Sequence, residues 1–191
     1  MRLWLGIEAR EAERVVTTLE QDVKRAIRTI PDYPKKGIPF KDLTTLWKNG
    51  KLTRRVTDAM AKKWNGEKLD KIVGIEARGF IVGAPLADRL GIGFVPARKV
   101  GKLPAAKVSV NYELEYGRQG LEIHTDAISK GERVLVVDDL LATGGTSKAA
   151  ATLAERMGGK VVGFAFVTEL GRLKGRKKLT GYEVYTIARY D

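Results

Sequence analysis

The sequence predicts an α/β fold with a mostly parallel central sheet flanked by helices on both faces. Short apolar runs typical of buried strands alternate along the chain with longer segments in which apolar residues recur every three or four positions. This alternation is typical of parallel sheets, because a parallel connection has to cross back over the sheet. The 191 residues contain no internal repeat and suffice for a domain with its own core.

The N-terminal part of the chain is predicted to contain two helices separated by a loop. Helical spacing of apolar residues predicts a first helix over residues 8–29, which stops at Ile30 because Pro31 follows. Residues 30–40 contain three prolines and a glycine and are predicted to form a shaped loop. A second helix is predicted from Gly50 to Trp64.

The rest of the chain is predicted to alternate between strands and helices. Residues 98–111 are polar and contain glycine, which predicts a loop, and residues 112–116 and 121–124 are predicted to pair as a hairpin. The other predicted elements are strands at 71–75, 93–97, 133–137, 160–168 and 182–188 and helices at 79–90 and 146–157. Ligands of such folds bind at the carboxyl ends of strands, so the chemistry is expected at 76–79, 98–102, 138–145 and 168–171.

Composition restricts the chemistry that this fold can carry. Without cysteine and with His124 as the single histidine, the chain cannot form disulfides, thiol nucleophiles or a multi-histidine metal site. The formal net charge of +12 leaves open a solvated basic surface, a nucleic-acid partner and a phosphorylated metabolite. No apolar run approaches the ~18–20 residues of a membrane span, and charged residues follow the first seven positions at once. We therefore expect a cytoplasmic protein without a membrane partner.

One segment, residues 134–146, joins an acidic pair to a glycine-rich turn. The predicted strand ends in Asp138 and Asp139, and Gly144 and Gly145 precede the next predicted helix. Glycines let a backbone approach a ligand, and the free N–H groups at a helix start favour an anion. Carboxylates repel phosphate but suit sugar hydroxyls or a magnesium shell. The segment therefore predicts a ribose 5-phosphate site, with a plain turn capped by aspartates as the alternative.

This segment resembles the phosphoribosyl-pyrophosphate (PRPP) motif of the type I phosphoribosyltransferases. Further segments resemble the adenine branch of that family in order and spacing, namely 30–46, 75–80, 98–104, 112–117, 121–124 and 173–176. The resemblance covers about residues 17–180, and the first sixteen residues have no counterpart in it. It implies the type I phosphoribosyltransferase fold, with a small N-terminal hood over residues 1–40 that contributes to the base pocket, a core domain over 41–191 and a flexible catalytic loop.

The resemblance also implies an activity. Such enzymes transfer the 5-phosphoribosyl group from PRPP to N9 of adenine, giving AMP and pyrophosphate, in purine salvage. They use Mg²⁺, which is held mainly by PRPP and, through water, by Asp138 and Asp139. The family implies a homodimer, in which some contacts to pyrophosphate come from the partner subunit, and no nucleic-acid partner.

Roles are carried over to the residues that match the family pattern. Asp138 and Asp139 are expected to bind the ribose hydroxyls, and Glu115 and Tyr116 are expected to be catalytic. The peptide between Glu76 and Ala77 is expected to face pyrophosphate, in cis form in some members. The other expected PRPP- and AMP-binding residues are Arg78, Arg98, Lys99, Lys102, Ala142, Thr143, Gly144, Gly145 and Thr146, and the expected adenine-binding residues are Pro39, Phe40, Lys41 and Leu170.

Each of these residues also has a plainer interpretation. Without the resemblance, Arg78 fits a surface ion pair, residues 98–111 a solvated turn, and Phe40 ordinary packing. Glu115 fits a solvated strand edge, and His124 is expected to be structural. The basic run at 172–178 is expected to be a solvated face.

Two departures from the family pattern affect the base pocket. Pro39 stands where the family has a β-branched residue, and Lys41 stands where it has arginine. The Pro39 carbonyl and the Lys41 N–H remain available to read the purine edge, so the chemistry is predicted more firmly than the base. A transferase for a 6-oxopurine therefore stays open. A PRPP-sensing regulator is the third alternative, although it needs a DNA-binding module of ~60–80 residues and about sixteen residues precede the match.

Overall fold

The computed structural model describes residues 17–114 and 117–191. Seven strands form one sheet in the order β5-β6-β4-β3-β7-β8-β9. Strands β4, β3, β7, β8 and β9 are mutually parallel, while β6 is antiparallel to β4 and β5 to β6. The sheet strands are β3 (Lys71–Ile75), β4 (Gly93–Lys99), β5 (Lys107–Leu114), β6 (Gly117–His124), β7 (Arg133–Leu141), β8 (Lys160–Leu170) and β9 (Glu183–Tyr190).

Helices cover both faces of the sheet, which confirms the predicted fold class. In β7, Leu135 and Val137 join the core beneath the helices of one face, whereas Val134 and Val136 join the core beneath the other. Alternate strand residues point to opposite faces, so a strand covered twice is apolar throughout. The helices are α1 (Leu19–Ala26), α2 (Thr44–Trp47), α3 (Gly50–Trp64), α4 (Arg78–Leu90) and α5 (Gly145–Arg156), followed by two 3₁₀ turns at Gly171–Leu173 and Gly175–Leu179.

The first predicted helix is too long at its C-terminal end. Thr18 caps α1 with a reciprocal capping box to Gln21, and the helix ends at Ala26. Residues Arg28–Ile30 instead form β1, which pairs with β2 (Phe40–Asp42) in an antiparallel ribbon. The residue before a proline favours extended backbone, and the ribbon extends that preference back over two further residues. Residues 8–16 of the predicted helix lie outside the described residues, and the hood over 1–40 stays a prediction.

The predicted hairpin is displaced from the observed one. Strand β5 occupies Lys107–Leu114 and pairs with β6 from Leu114 opposite Gly117 to Lys107 opposite His124. The predicted loop at 98–111 is therefore wrong at residues 98–99, which end β4, and beyond residue 106. Val108, Val110 and Tyr112 pack on the core, and the residues between them are polar. This strand alternation was missed in the sequence because lysines and glycines surround it. In the described part of the chain, no helix is long and apolar enough to cross a membrane.

Candidate active site

The acidic pair lies within β7, near its carboxyl end, and the strand continues two residues beyond the pair. Strand β7 continues to Leu141, and Asp138 pairs with Phe166 of β8. The Asp139 side chain is 1% exposed, and its Oδ2 lies 2.9 Å from Nε of Arg78. This Oδ2 accepts no aligned hydrogen bond within the described residues. A buried carboxylate oxygen is thus left for a hydroxyl, a water or a cation.

Burial shapes the protonation of both carboxyl groups. Burial, reinforced by the neighbouring Asp139 carboxylate, raises the pKa of Asp138 well above its usual range. Burial also raises the pKa of Asp139, and the guanidinium of Arg78 opposes that rise. Two buried like charges side by side are costly to the fold, and a bound diol or hydrated cation relieves that cost.

A cradle for an anion follows the acidic pair, and its shape depends on glycine. Gly144 has φ +79° and precedes α5 as its N-cap. A Cβ on Gly144 would stand 2.5 Å from the carbonyl oxygen of Gly175, and a Cβ on Gly175 would stand 2.3 Å from that of Ala142. The turn at 142–144 therefore packs directly on the turn at Gly175, with no room for a side chain between them. The N–H groups of Gly145 and Thr146, in the first turn of α5, have no intrahelical partner.

Arg78 joins the acidic pair to the predicted base pocket. It begins α4, directly after the cis peptide bond between Glu76 and Ala77. A Cβ on Gly79 would stand 2.8 Å from the Val137 carbonyl oxygen, so α4 approaches the end of β7 closely enough for Arg78 to meet Asp139. The Arg78 guanidinium carbon lies 5.7 Å from the ring centroid of Phe40.

The Glu76 side chain holds Arg98 and the backbone at the carboxyl end of β4. The Glu76 carboxylate accepts hydrogen bonds from Arg98 at 3.2 and 3.3 Å and from the backbone N–H of Lys99 at 2.8 Å. The Arg98 side chain and the Lys99 N–H lower the pKa of Glu76 against its burial. Arg98 is therefore held on Glu76, while Lys99 and Lys102 are exposed.

The predicted adenine residues flank the ribbon and the ends of β8 and β9. Phe40 begins β2, and Tyr33 meets its ring edge-on at a centroid distance of 5.1 Å. Lys41 Nζ donates to Thr29 Oγ1 at 2.8 Å and lies 4.1 Å from the ring centroid of Tyr190. Tyr190 stands opposite Leu170 in the pairing of β8 with β9. Lys41 and Leu170 thus meet the same tyrosine, which sequence reasoning did not single out.

The remaining residues that the sequence analysis singled out fall into three groups. Glu115 and Tyr116 lie outside the described residues, between β5 and β6. Thr143 and Thr146 are half-buried on the cradle. His124 is half-buried at the end of β6, with its Nε2 unpaired within the described chain.

The basic run at 172–178 is only partly a solvated face. Arg176 donates to both oxygens of Glu169 at 2.9 and 2.8 Å and to the Val184 carbonyl at 2.8 Å. The Glu169 side chain is 3% exposed. Arg176 therefore fixes the turn at Gly175 on which the cradle packs, and the prediction of a solvated face is wrong for this residue. Strand β8 had been predicted to end before Glu169, which hid the partner.

A surface cavity of about 1120 Å³ lies away from these strand ends, at the start of α3. Four basic side chains line it, namely Lys48, Lys51, Arg54 and Arg55. No carboxylate stands among its lining residues, so it lacks the group that recognises a ribose diol. The strand-end site is the better candidate because its groups match a ribose 5-phosphate part by part.

The fold and the site together define a phosphoribosyltransferase, and the chain belongs to that family: the phosphoribosyl transferase domain model matches residues 42–188. The adenine phosphoribosyltransferase of Desulfitobacterium hafniense is 55% identical over 169 residues, which make up 88% of this chain and 98% of that relative. The comparison confirms the resemblance to the adenine branch.

Solved structures agree with the sequence comparison. The adenine phosphoribosyltransferase of Thermoanaerobacter pseudethanolicus matches with a TM-score of 0.87 and 54% identity, over 91% of this chain and 100% of that one. The enzyme of Giardia lamblia, solved with 9-deazaadenine, matches with a TM-score of 0.86 and 35% identity, over 92% of this chain and 99% of that one.

Proposed function

We infer that this chain transfers the 5-phosphoribosyl group of PRPP to N9 of adenine, giving AMP and pyrophosphate in purine salvage. The observation that carries the inference is the contiguity of three groups. The pair of half-buried Asp138 and buried Asp139 stands directly before the glycine cradle, and Arg78 joins that pair to Phe40. The pair suits the ribose diol, the cradle suits the 5-phosphate, and the ring suits a purine.

The charges suit the departure of a pyrophosphate. As the bond to pyrophosphate breaks, negative charge grows on the leaving group and positive charge on the ribose ring. Arg78 stands beside the diol-binding pair, where its fork can meet pyrophosphate oxygens. We propose that Arg98, Lys99 and Lys102 add further positive charge on the same side, with Arg98 exchanging Glu76 for pyrophosphate.

Mg²⁺ is proposed as the metal, held mainly by PRPP. Asp138 and Asp139 would reach it through water, a role that Asp139 Oδ2 fits because it accepts no aligned hydrogen bond within the described residues. Within the described residues, no three His, Asp or Glu side chains form a metal site of their own. When bound, the ion neutralises phosphate charge, while the protein groups orient the ribose.

Glu115 and Tyr116, which follow β5 in the sequence, are proposed as the catalytic pair. Glu115 would assist proton handling at the purine as N9 attacks. We expect Glu115→Gln to lower kcat by roughly 100-fold, within the range of general acid–base contributions, while the melting temperature stays unchanged. Steady-state assays and a thermal scan measure this. A kcat equal to that of the unmodified chain removes Glu115 from the mechanism.

Pro39, Phe40, Lys41 and Leu170 are proposed to form the adenine pocket. Phe40 would stack on the base, with Leu170 across from it, and the Pro39 carbonyl would accept from the 6-amino group. A 6-oxopurine presents an acceptor at that position and leaves an unpaired group, at a cost of ~1–3 kcal/mol.

Phe40→Ala is expected to raise KM for adenine by about 10-fold, because a lost aromatic stack on a base costs ~1–3 kcal/mol. KM for PRPP should change little. Tyr33→Ala is the matched control, since Tyr33 is exposed and meets Phe40 only through its edge. A rise confined to KM for PRPP would show that Phe40 does not stack on the base.

Pyrophosphate release with PRPP and Mg²⁺ tests the function as a whole, run separately with adenine, hypoxanthine, guanine and xanthine. Release with adenine alone is expected. Release with a 6-oxopurine would favour the alternative transferase and place the error at Pro39 and Lys41. Tight PRPP binding without release for any base would favour the regulator.

The remaining expectations are proposals of the same kind. We propose a cytoplasmic homodimer without a nucleic-acid partner, in which residues 1–40 form a hood over the core of residues 41–191. Val100, 54% exposed beside the basic loop, is a candidate for the subunit contact. Sedimentation at twice the chain mass is expected, and a monomer would contradict the homodimer.

A further inference from the structure

Glu122 is a buried carboxylate that none of the proposed substrate contacts uses. It lies on β6, opposite Arg98 of β4 and Ser109 of β5, and is 1% exposed. A buried charge is costly unless several partners compensate it, so its contacts indicate its role.

Those contacts go to the loop that follows β4. Glu122 Oε1 accepts the backbone N–H groups of Lys102 at 2.9 Å and Leu103 at 2.8 Å. Its Oε2 lies 3.8 Å from Lys107 Nζ, which donates to the Leu103 carbonyl at 2.6 Å. The carboxylate thus ties the backbone of the loop to both strands of the hairpin.

Besides Glu122, a small number of backbone bonds hold this loop. Gly101 has φ +86°, and a Cβ there would meet no atom within 4 Å, so its surroundings are open. The backbone N–H of Lys102 also bonds to the Lys99 carbonyl, and the Arg98 guanidinium reaches the Lys102 carbonyl at 3.4 Å. The backbone N–H of Lys99 also bonds to Glu76 and that of Val100 to the Gly120 carbonyl, so Glu122 is a second point of attachment, which holds the loop beyond Gly101.

We propose that Glu122 is a positioning residue that holds residues 99–103 in the shape that presents Lys99 and Lys102 to pyrophosphate. This rests on the proposed function. Because Glu122 also belongs to the strand that begins at Gly117, it links the pyrophosphate loop to the hairpin of β5 and β6.

Glu122→Gln and Glu122→Ala test this, with Glu132→Gln as the matched control. Glu132 likewise accepts a backbone N–H, that of Ser129 at 2.8 Å, and lies 3.7 Å from a lysine, but stands at the amino end of β7. We expect Glu122→Ala to raise KM for PRPP about 10-fold, because a small misplacement of charged groups weakens binding strongly. KM for adenine should stay within about 2-fold, while kcat should fall as well, because Lys99 and Lys102 are proposed to stabilise the charge that grows on the leaving pyrophosphate. Glu122→Gln should restore most of the affinity, since its amide oxygen still accepts both N–H groups, although more weakly.

Tryptic cleavage after Lys99 or Lys102, followed by mass spectrometry, reports on the loop without any activity. Faster cleavage in Glu122→Ala than in Glu132→Gln, with Glu122→Gln between them, supports the proposal. Unchanged cleavage, or a KM for PRPP equal to that of the control, overturns it. If the unmodified chain proves inactive, the proposed function fails, and the order of cleavage rates still decides whether Glu122 holds the loop.

Discussion

Replacing Asp138 and Asp139 together by asparagine is expected to weaken PRPP binding at least ~100-fold while leaving the melting temperature unchanged or higher. The loss follows from charge, because each carboxylate hydrogen bond to a ribose hydroxyl contributes about 1.5–3 kcal/mol. Asparagine keeps the shape of the side chain but removes the charge. Titration calorimetry with PRPP and Mg²⁺ measures the affinity.

The stability gain follows from the raised pKa of Asp138. A carboxyl whose pKa is higher in the folded than in the unfolded chain destabilises the fold at pH values above its unfolded pKa, where folding must either take up a proton or bury the charge. Asparagine does not titrate, so it removes that cost. Arg78 loses its partner, but its side chain is 41% exposed and water can solvate it.

Asp58→Asn is the control for this pair, because Asp58 is paired with Arg89 on the helical surface and has no part in the site. We expect it to change neither the affinity for PRPP nor the melting temperature appreciably. Unaltered PRPP affinity in the double variant would remove the diol role from both aspartates. A large fall in melting temperature would contradict the proposed cost of the buried charges.

Gly144→Ala is expected to lower kcat/KM for PRPP by at least ~100-fold, because a misplacement near 1 Å at a binding group can cost that much. The new Cβ would stand 2.5 Å from the Gly175 carbonyl oxygen, which is backbone and cannot rotate away. Arg176 anchors the Gly175 turn to the buried Glu169, so we expect the cradle to move instead.

Gly131→Ala is the control that separates the effect of the steric contact with Gly175 from the effect of the left-handed backbone conformation. Gly131 has φ +88°, close to the +79° of Gly144, but a Cβ there would meet no atom within 4 Å. In both variants a residue with a Cβ must adopt a left-handed backbone conformation, which costs ~1–2 kcal/mol, so both should melt at a lower temperature. Only Gly144→Ala should lose activity. Equal activities of the two variants would show that the cradle does not hold the phosphate.

The elements that could be predicted from the sequence are those in which local pattern and tertiary role agree. Helix α3 matches its predicted bounds because its apolar spacing faces one core, and strand β3 matches because it is apolar on both faces, each of which meets a core. Strand β1 was predicted as part of a helix and the hairpin was displaced, since pairing with the next strand along the chain outweighs local composition there.

The candidate site divides in the same way. The acidic pair and the glycine turn are contiguous in sequence, so a single segment predicts both. The residues that hold the rest of the site come from elsewhere in the chain. Glu76 pairs with Arg98, Glu122 accepts hydrogen bonds from the loop after β4, and Glu169 pairs with Arg176. An isolated glutamate resembles a solvated one until the fold shows what surrounds it.

A crystal structure with AMP bound tests the central claim most directly. We predict phosphate oxygens ~2.7–3.2 Å from the backbone N–H groups of residues 143–146. We also predict that the ribose hydroxyls bind Asp138 and Asp139 and that the base stacks on Phe40. A phosphate seated instead among Lys48, Lys51 and Arg54 at the start of α3 would contradict it.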